Sequence, residues 1–158
     1  MNEIRLLLDL LDQAYNKKAW HGPCLRGALR GLAAGQAGWH PRPGRHSIAD
    51  NAVHAAYWKY AVRRRLRGEK RGSFALKGSN WIRLPEPLSD SQWRDYVALL
   101  EAEHRALRQT VAEFPPARLH RSSPGSQFTS AALIMGIASH DLYHAGQIQL
   151  LKRLYISA

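Results

Sequence analysis

The sequence is poor in cysteine, in acidic residues and in long apolar runs. Cys24 is the single cysteine, which excludes a disulfide within the chain and favours a reducing compartment. Acidic residues interrupt the apolar start of the chain, so we expect no secretion signal. The longest uncharged run, residues 122–139, is polar through its first half, so we expect no membrane span. With 158 residues, 45% of them hydrophobic, we expect one cytoplasmic domain over residues 1–158.

Basic residues outnumber acidic ones by 23 to 12, which gives a formal net charge of +11. Such an excess attracts nucleic acid, anionic membranes or acidic ligands. The densest basic cluster holds Arg63, Arg64, Arg65 and Arg67 and continues to Arg71. We interpret it as a solvated helix end, because cations stabilise the C-terminal end of a helix dipole. No nucleic-acid-binding motif accompanies the cluster, so a nucleic-acid-associated bundle is the less favoured alternative.

Apolar spacing and capping residues predict four helices and no strand of useful length. The predicted helices run from near Asn2 to Leu32 with a kink or short break at Gly22–Pro23, from about Ile48 to Arg67, from the Ser89 cap to about Glu113, and from the Thr129 cap to about Tyr155. Roughly twenty residues separate the second and third helices, a connection long enough to cross a bundle. We therefore predict an all-α four-helix bundle with a long crossover between helices 2 and 3.

Two glycines, Gly136 and Gly146, lie inside the fourth predicted helix. Each costs a helix about 1 kcal/mol relative to alanine. Close approach of a neighbouring helix would offset this cost.

The fourth helix also carries two histidines on its apolar seam. The predicted seam consists of Leu133, Ile137, His140, His144, Gln147, Leu151 and Leu154, spaced as the a and d positions of heptads. A buried polar group costs a few kcal/mol unless a partner satisfies it. Imidazoles four residues apart on a helix can both reach one ion, as in zinc-binding helices. Asp141 stands where a zinc peptidase would need glutamate, and it lies one position off the seam, so we disfavour that activity.

A third ligand would have to come from another helix. His54 lies in the middle of the second helix between small residues, so it is the best candidate. His104 stands among charged neighbours, so we expect it to face solvent. His40, His46 and His120 lie outside the helices and are expected at the surface. From the residues alone, a metal site and a set of satisfied core histidines both remain open.

The chain resembles the DinB-like (DinB/YfiT) superfamily over nearly its whole length. The resemblance is carried by the motifs Trp20-His21-Gly22-Pro23, Gly44-Arg45-His46-Ser47-Ile48 with His54, and His140-Asp141-Leu142-Tyr143-His144-Ala145-Gly146-Gln147-Ile148. It implies a four-helix bundle with a crossover and a divalent metal held by His54, His140 and His144. It also implies homodimers, and some members are thiol S-transferases or isomerases that use bacillithiol or mycothiol.

These observations lead to a functional hypothesis. Three neutral histidines leave a metal with open positions, as in catalytic sites, and a metal-bound thiol loses its proton. We therefore expect activation of a low-molecular-weight thiol for attack on a small electrophile, with zinc or nickel favoured over iron or manganese. A metal-dependent hydrolase and a non-catalytic stress-response module remain open as competing hypotheses. Further residues expected near the site are Gln147, Asp50, Trp20, His21, Tyr57 and Trp58.

Overall fold

The computed structural model describes residues 2–72, 74–123 and 125–157. Its α-helices are α1 (Glu3–Tyr15), α2 (Leu25–Ala28), α3 (Ala34–Ala37), α4 (Ile48–Arg67), α5 (Asp90–Ala112) and α6 (Ser130–Ile156), with a 3-10 turn at Pro116–Arg118. The described residues contain no strand beyond one isolated bridge between Ser122 and Thr129. None of the described helices combines the length and the apolar character that a membrane span needs. The four long helices confirm the predicted all-α fold.

Three of the long helices begin at the residues that the sequence predicts. Ser47 accepts a hydrogen bond from the Asp50 amide while the Asp50 side chain accepts one from the Ser47 amide, which makes a capping box. Ser89 caps α5 in the same way with Gln92, and Thr129 caps α6. These bonds satisfy backbone donors that a helix start leaves without partners.

The first predicted helix is wrong beyond Tyr15. We expected helix to resume after a kink or short break at Gly22–Pro23, yet residues 16–24 are non-helical and α2 is only four residues long. The Asp12 carbonyl accepts from both Asn16 and Lys17, which closes α1 early. Gly22 then adopts a φ of +105°, which is outside the helical region. Leu25 and Leu29 are nevertheless buried. The apolar spacing therefore indicated which residues are buried, although it did not indicate their secondary structure.

Two apolar clusters fix the directions of the helices. One contains the first half of α4, the first half of α5 and the second half of α6, through residues such as Val53, Tyr96 and Ile148. The other contains the second halves of α4 and α5 together with the first half of α6, through residues such as Leu66 and Leu107. Consequently α4 and α5 run parallel and α6 runs opposite to them. The connection of residues 68–89 between α4 and α5 is the predicted crossover.

The buried face of α6 is rotated from the predicted seam. Asp141, which we placed off the seam, is fully buried and pairs with the fully buried Lys59 of α4. Leu154, which we placed on the seam, is 43% exposed. The Lys59–Asp141 pair lies between α4 and α6, so each of these buried charged groups has a partner of opposite charge.

His104 is buried, so its predicted exposure is wrong. Its ring stacks on Tyr15 of α1 with the ring centroids 3.7 Å apart. The prediction took the acidic neighbours of His104 as a sign of a solvent-facing surface, but these acids contact other helices. Glu101 accepts a hydrogen bond from the Tyr15 hydroxyl, and Glu103 pairs with Arg63 of α4.

No close helix approach compensates for the two glycines of α6. A Cβ added at Gly136 or at Gly146 would lie more than 4 Å from every described atom outside its own stretch of the helix. The expected offset is therefore absent at both positions.

Candidate metal centre

Three histidine nitrogens converge between α4 and α6. The Nε2 atom of His140 lies 3.1 Å from Nε2 of His54 and 3.1 Å from Nε2 of His144. His54 comes from the middle of α4, and the other two lie one turn apart on α6. His54 and His144 are buried and His140 is half-buried. These three histidines form a group whose ligand atoms all lie within 4.8 Å of one another, which could hold a metal ion.

Hydrogen bonds orient the outer two histidines. The Nδ1–H of His144 donates to Oδ1 of Asn51 over 2.7 Å, and the Asn51 amide nitrogen donates to the Ser47 carbonyl over 2.7 Å. That second bond fixes which end of the amide faces His144. The Nδ1–H of His54 donates to the Asn80 carbonyl over 3.2 Å. Partners of this kind set the tautomer and ring orientation of metal-binding histidines.

Those two bonds leave the centre with more lone pairs than protons. A neutral histidine that carries its proton on Nδ1 presents a bare lone pair at Nε2. His54 and His144 therefore both direct lone pairs at the Nε2 atom of His140, which can offer one proton at most. At least one of the two contacts of 3.1 Å then lacks a hydrogen. A cation that accepts all three lone pairs would resolve this conflict, so the residues present fit a divalent metal.

The three imidazoles are held neutral. Burial lowers the pKa of His140 to about 3, and the neighbouring imidazoles and Lys59 add to the effect. Burial likewise lowers the pKa of His144 to about 4 and lowers that of His54. Metal ions bind the neutral form of histidine, so the group requires no deprotonation at neutral pH.

The crossover covers the centre, which the sequence did not reveal. Trp81 stacks on His54 with centroids 3.7 Å apart, and it also stacks on His46, at 3.5 Å. Asn80 has a φ of +59°, unusual for a residue other than glycine. Its carbonyl accepts from His54 and its side chain accepts from the Trp58 indole, 2.9 Å away. These two bonds hold the unusual backbone in place.

Two of the additional predicted residues lie at the centre. Gln147 lines the cavity above the histidines, and its Oε1 atom has no hydrogen-bond partner among the described residues. Trp58 stands edge-on to His54 and His140, with centroids 6.4 and 6.5 Å away.

Four other predicted residues lie elsewhere. Asp50 does not orient His54, because its carboxylate is occupied by Ser47 and His40. Tyr57 packs against Phe74 and Tyr60. Trp20 is fully exposed, and His21 borders a separate small cavity beside Gly146. Trp20 and His21 fall in the non-helical segment after α1, which removes them from the bundle axis.

The cavity above the histidines measures about 590 Å³. One wall comes from the second half of α6 and includes Tyr143, Leu150 and Leu154. The opposite wall comes from the loop before α4 and from Trp81 of the crossover. This volume lies in the usual range of small-ligand sites.

The fold and the centre together define an all-α bundle in which two of the four long helices, α4 and α6, present three histidines to one cavity. Residues 21–148 match the family model described as the DinB superfamily, and the chain belongs to that superfamily. No curated protein matches the chain, and no solved structure does.

Proposed function

We propose that the protein binds a divalent metal through His54, His140 and His144 and activates a low-molecular-weight thiol for attack on a small electrophile. The convergence of three Nε2 atoms that cannot satisfy one another carries this proposal. A bound ion would act as a Lewis acid that favours the thiolate form of the cosubstrate. Zinc or nickel is favoured for three imidazoles, and iron or manganese would also be accommodated.

The residues of the chain would supply binding and orientation. His54, His140 and His144 would hold the ion, and the cavity beside them would give a thiol room to bind it as a further ligand. Gln147, whose Oε1 atom lacks a partner among the described residues, would accept a hydrogen bond from a bound molecule. The apolar wall with Leu150 and Leu154 would exclude water from the nucleophile and the electrophile.

A thiol screen with the metal restored tests the enzyme function. Zinc- or nickel-loaded protein is mixed with thiols such as bacillithiol, mycothiol or cysteine and with a chromogenic electrophile. We expect thiol-dependent product formation that the His54→Ala, His140→Ala, His144→Ala triple variant lacks. Equal rates in the two proteins, with metal bound only to the wild type, would instead favour a non-catalytic metal-binding module. Hydrolysis of ester substrates without thiol would favour a metal-dependent hydrolase.

We further propose that the protein is a homodimer and that nucleic acid is not its partner. Part of the basic cluster on α4 is already neutralised within the chain. Arg63 pairs with Glu103 over 3.4 Å, and Arg67 pairs with Glu69.

A further inference from the structure

A short turn places two arginines on the wall of the cavity. The sequence Arg42-Pro43-Gly44-Arg45 closes with a hydrogen bond from the Arg45 amide to the Arg42 carbonyl, 3.1 Å long. Gly44 has a φ of +74°, as the third position of a type II turn requires, and proline suits the second position. The turn is therefore encoded locally, and both arginines at its ends line the cavity above the histidines.

Neither arginine is neutralised by an acid of its own. The ion pairs found among the described residues involve other arginines and lysines, not Arg42 or Arg45. The residues that line the cavity include no aspartate or glutamate. Arg42 and Arg45 are both exposed, so a ligand that enters the cavity can reach them.

The positive charge continues into a second cavity beside the first. This cavity measures about 780 Å³ and shares Arg42, Arg45 and Trp81 with the first. Arg83 of the crossover adds a third guanidinium there. Its acids are Glu86 and Asp50, and the Asp50 carboxylate is held by Ser47 and His40.

We infer that the substrate at this centre is an acid with an apolar body, whose carboxylate or phosphate pairs with Arg42 and Arg45. Arginine recognises such planar or tetrahedral anions through paired hydrogen bonds. The apolar body would lie along Tyr143, Leu150 and Leu154, with the reactive end at the histidines. This inference rests on the proposed metal-dependent function and adds the class of molecule that it serves.

Spectroscopy of the cobalt-loaded protein tests the inference. The protein is titrated with ω-mercaptohexanoate and with ω-mercaptooctanoate, and in parallel with the neutral mercaptoalcohols of the same chain lengths. Absorption from thiolate bound to cobalt reports binding without any turnover. We expect the acids to bind about fivefold more tightly than the alcohols, the upper range for exposed ion pairs, and added salt to reduce the preference.

Two double variants separate the turn from the overall positive charge. Arg42→Gln with Arg45→Gln should abolish the preference for acids and leave alcohol binding unchanged. Arg94→Gln with Arg105→Gln removes two exposed arginines of α5 that line neither cavity, and it should retain the preference. Equal binding of acid and alcohol by the wild type, or a preference that survives loss of Arg42 and Arg45, would overturn the inference.

The outcome also distinguishes this inference from the proposed function. A cobalt–thiolate signal of equal strength for acids and alcohols would contradict the inference and leave the proposed function standing. If no thiol gives a signal, the thiol chemistry fails. The acid preference is then measured by calorimetry with octanoate against octanol on the same variants. Equal dissociation constants for octanoate and octanol would then overturn the inference as well.

Discussion

At the scale of single residues, His104 is a buried titratable group outside the three-histidine centre. Both of its ring nitrogens are buried without a hydrogen-bond partner among the described residues, and its ring stacks on Tyr15. Burial lowers its pKa from 6.5 to about 3, and the charge of Lys59 contributes. The unfolded chain therefore binds a proton at a pH where the folded chain does not. This difference removes stability as the pH falls through the range from 6.5 toward 3.

Replacement of His104 by phenylalanine should flatten the pH dependence of stability. Between about pH 7 and about pH 5, we expect the wild type to lose about 2 kcal/mol more than His104→Phe in urea unfolding. The histidines of the metal centre titrate in both proteins, so their contribution cancels in the difference. Parallel pH profiles would show that His104 is protonated or solvated in the folded state.

Asn51 should matter to metal affinity, whereas its neighbour Asp50 should not. Asn51→Ala removes the acceptor that orients His144, so we expect metal affinity to fall about tenfold or more. Asp50→Ala breaks the capping box and should cost about 1 kcal/mol of stability with little change in affinity. Competition with a zinc chelator and thermal unfolding measure the two effects. A larger loss of affinity in Asp50→Ala would contradict this assignment.

The sequence revealed the histidines of the centre but not their supports. His140 and His144 stand out because their spacing places two polar rings on one side of a helix. Asn80 and Trp81 belong to an irregular connection. Such a segment has no periodic pattern that would predict which of its residues contact α4. The role of Asn51 was not predicted, because a polar residue in the first turn of a helix is expected to face solvent or to cap the helix. The pairing of Asn51 with His144 depends on how α6 rotates, which Lys59 and Asp141 help to fix.

At the scale of elements, the glycines of α6 offer a direct test of packing. A Cβ at Gly136 would meet open space, so Gly136→Ala should stabilise the protein by about 1 kcal/mol. Gly38 is the matched contrast, because a Cβ there would lie 2.9 Å from Cβ of Leu88. Gly38→Ala should therefore destabilise the protein. Thermal unfolding decides both, and a stability loss in Gly136→Ala would mean that space beside α6 is filled.

Helix starts were more predictable than helix continuity. The caps at Ser47, Ser89 and Thr129 are local hydrogen bonds, so a few residues suffice to specify them. Whether the chain stays helical between Tyr15 and Leu25 depends on its packing against the rest of the protein. The heptad pattern contains no information about that packing. Leu25 and Leu29 are buried although no long helix carries them.

At the scale of the whole molecule, the crossover joins two parallel helices and also covers the three-histidine centre. The length of the connection predicted the first role. The second role arises because Trp81 of the crossover lines the cavity and stacks on His54.

The predicted homodimer can be tested at the start of α6, away from the cavity above the histidines. Phe128 and Met135 are exposed there, and neither lines that cavity. We expect Phe128→Glu with Met135→Glu to convert a dimer to a monomer in sedimentation velocity. The matched control is Leu6→Glu with Leu10→Glu on α1, which also replaces two exposed apolar residues. A wild type that sediments as a monomer at high concentration would contradict the dimer.

The metal content of the protein decides whether the three histidines hold an ion. Untagged wild type is loaded with zinc or nickel, dialysed, and analysed for metal per chain. The same is done for the His54→Ala, His140→Ala, His144→Ala triple variant and for a His21→Ala, His120→Ala control that lacks two exposed histidines. We predict one tightly bound ion per chain in the wild type and in the control, and none in a triple variant that retains its helical circular dichroism. A folded wild type that retains no more metal than the triple variant would contradict the metal centre.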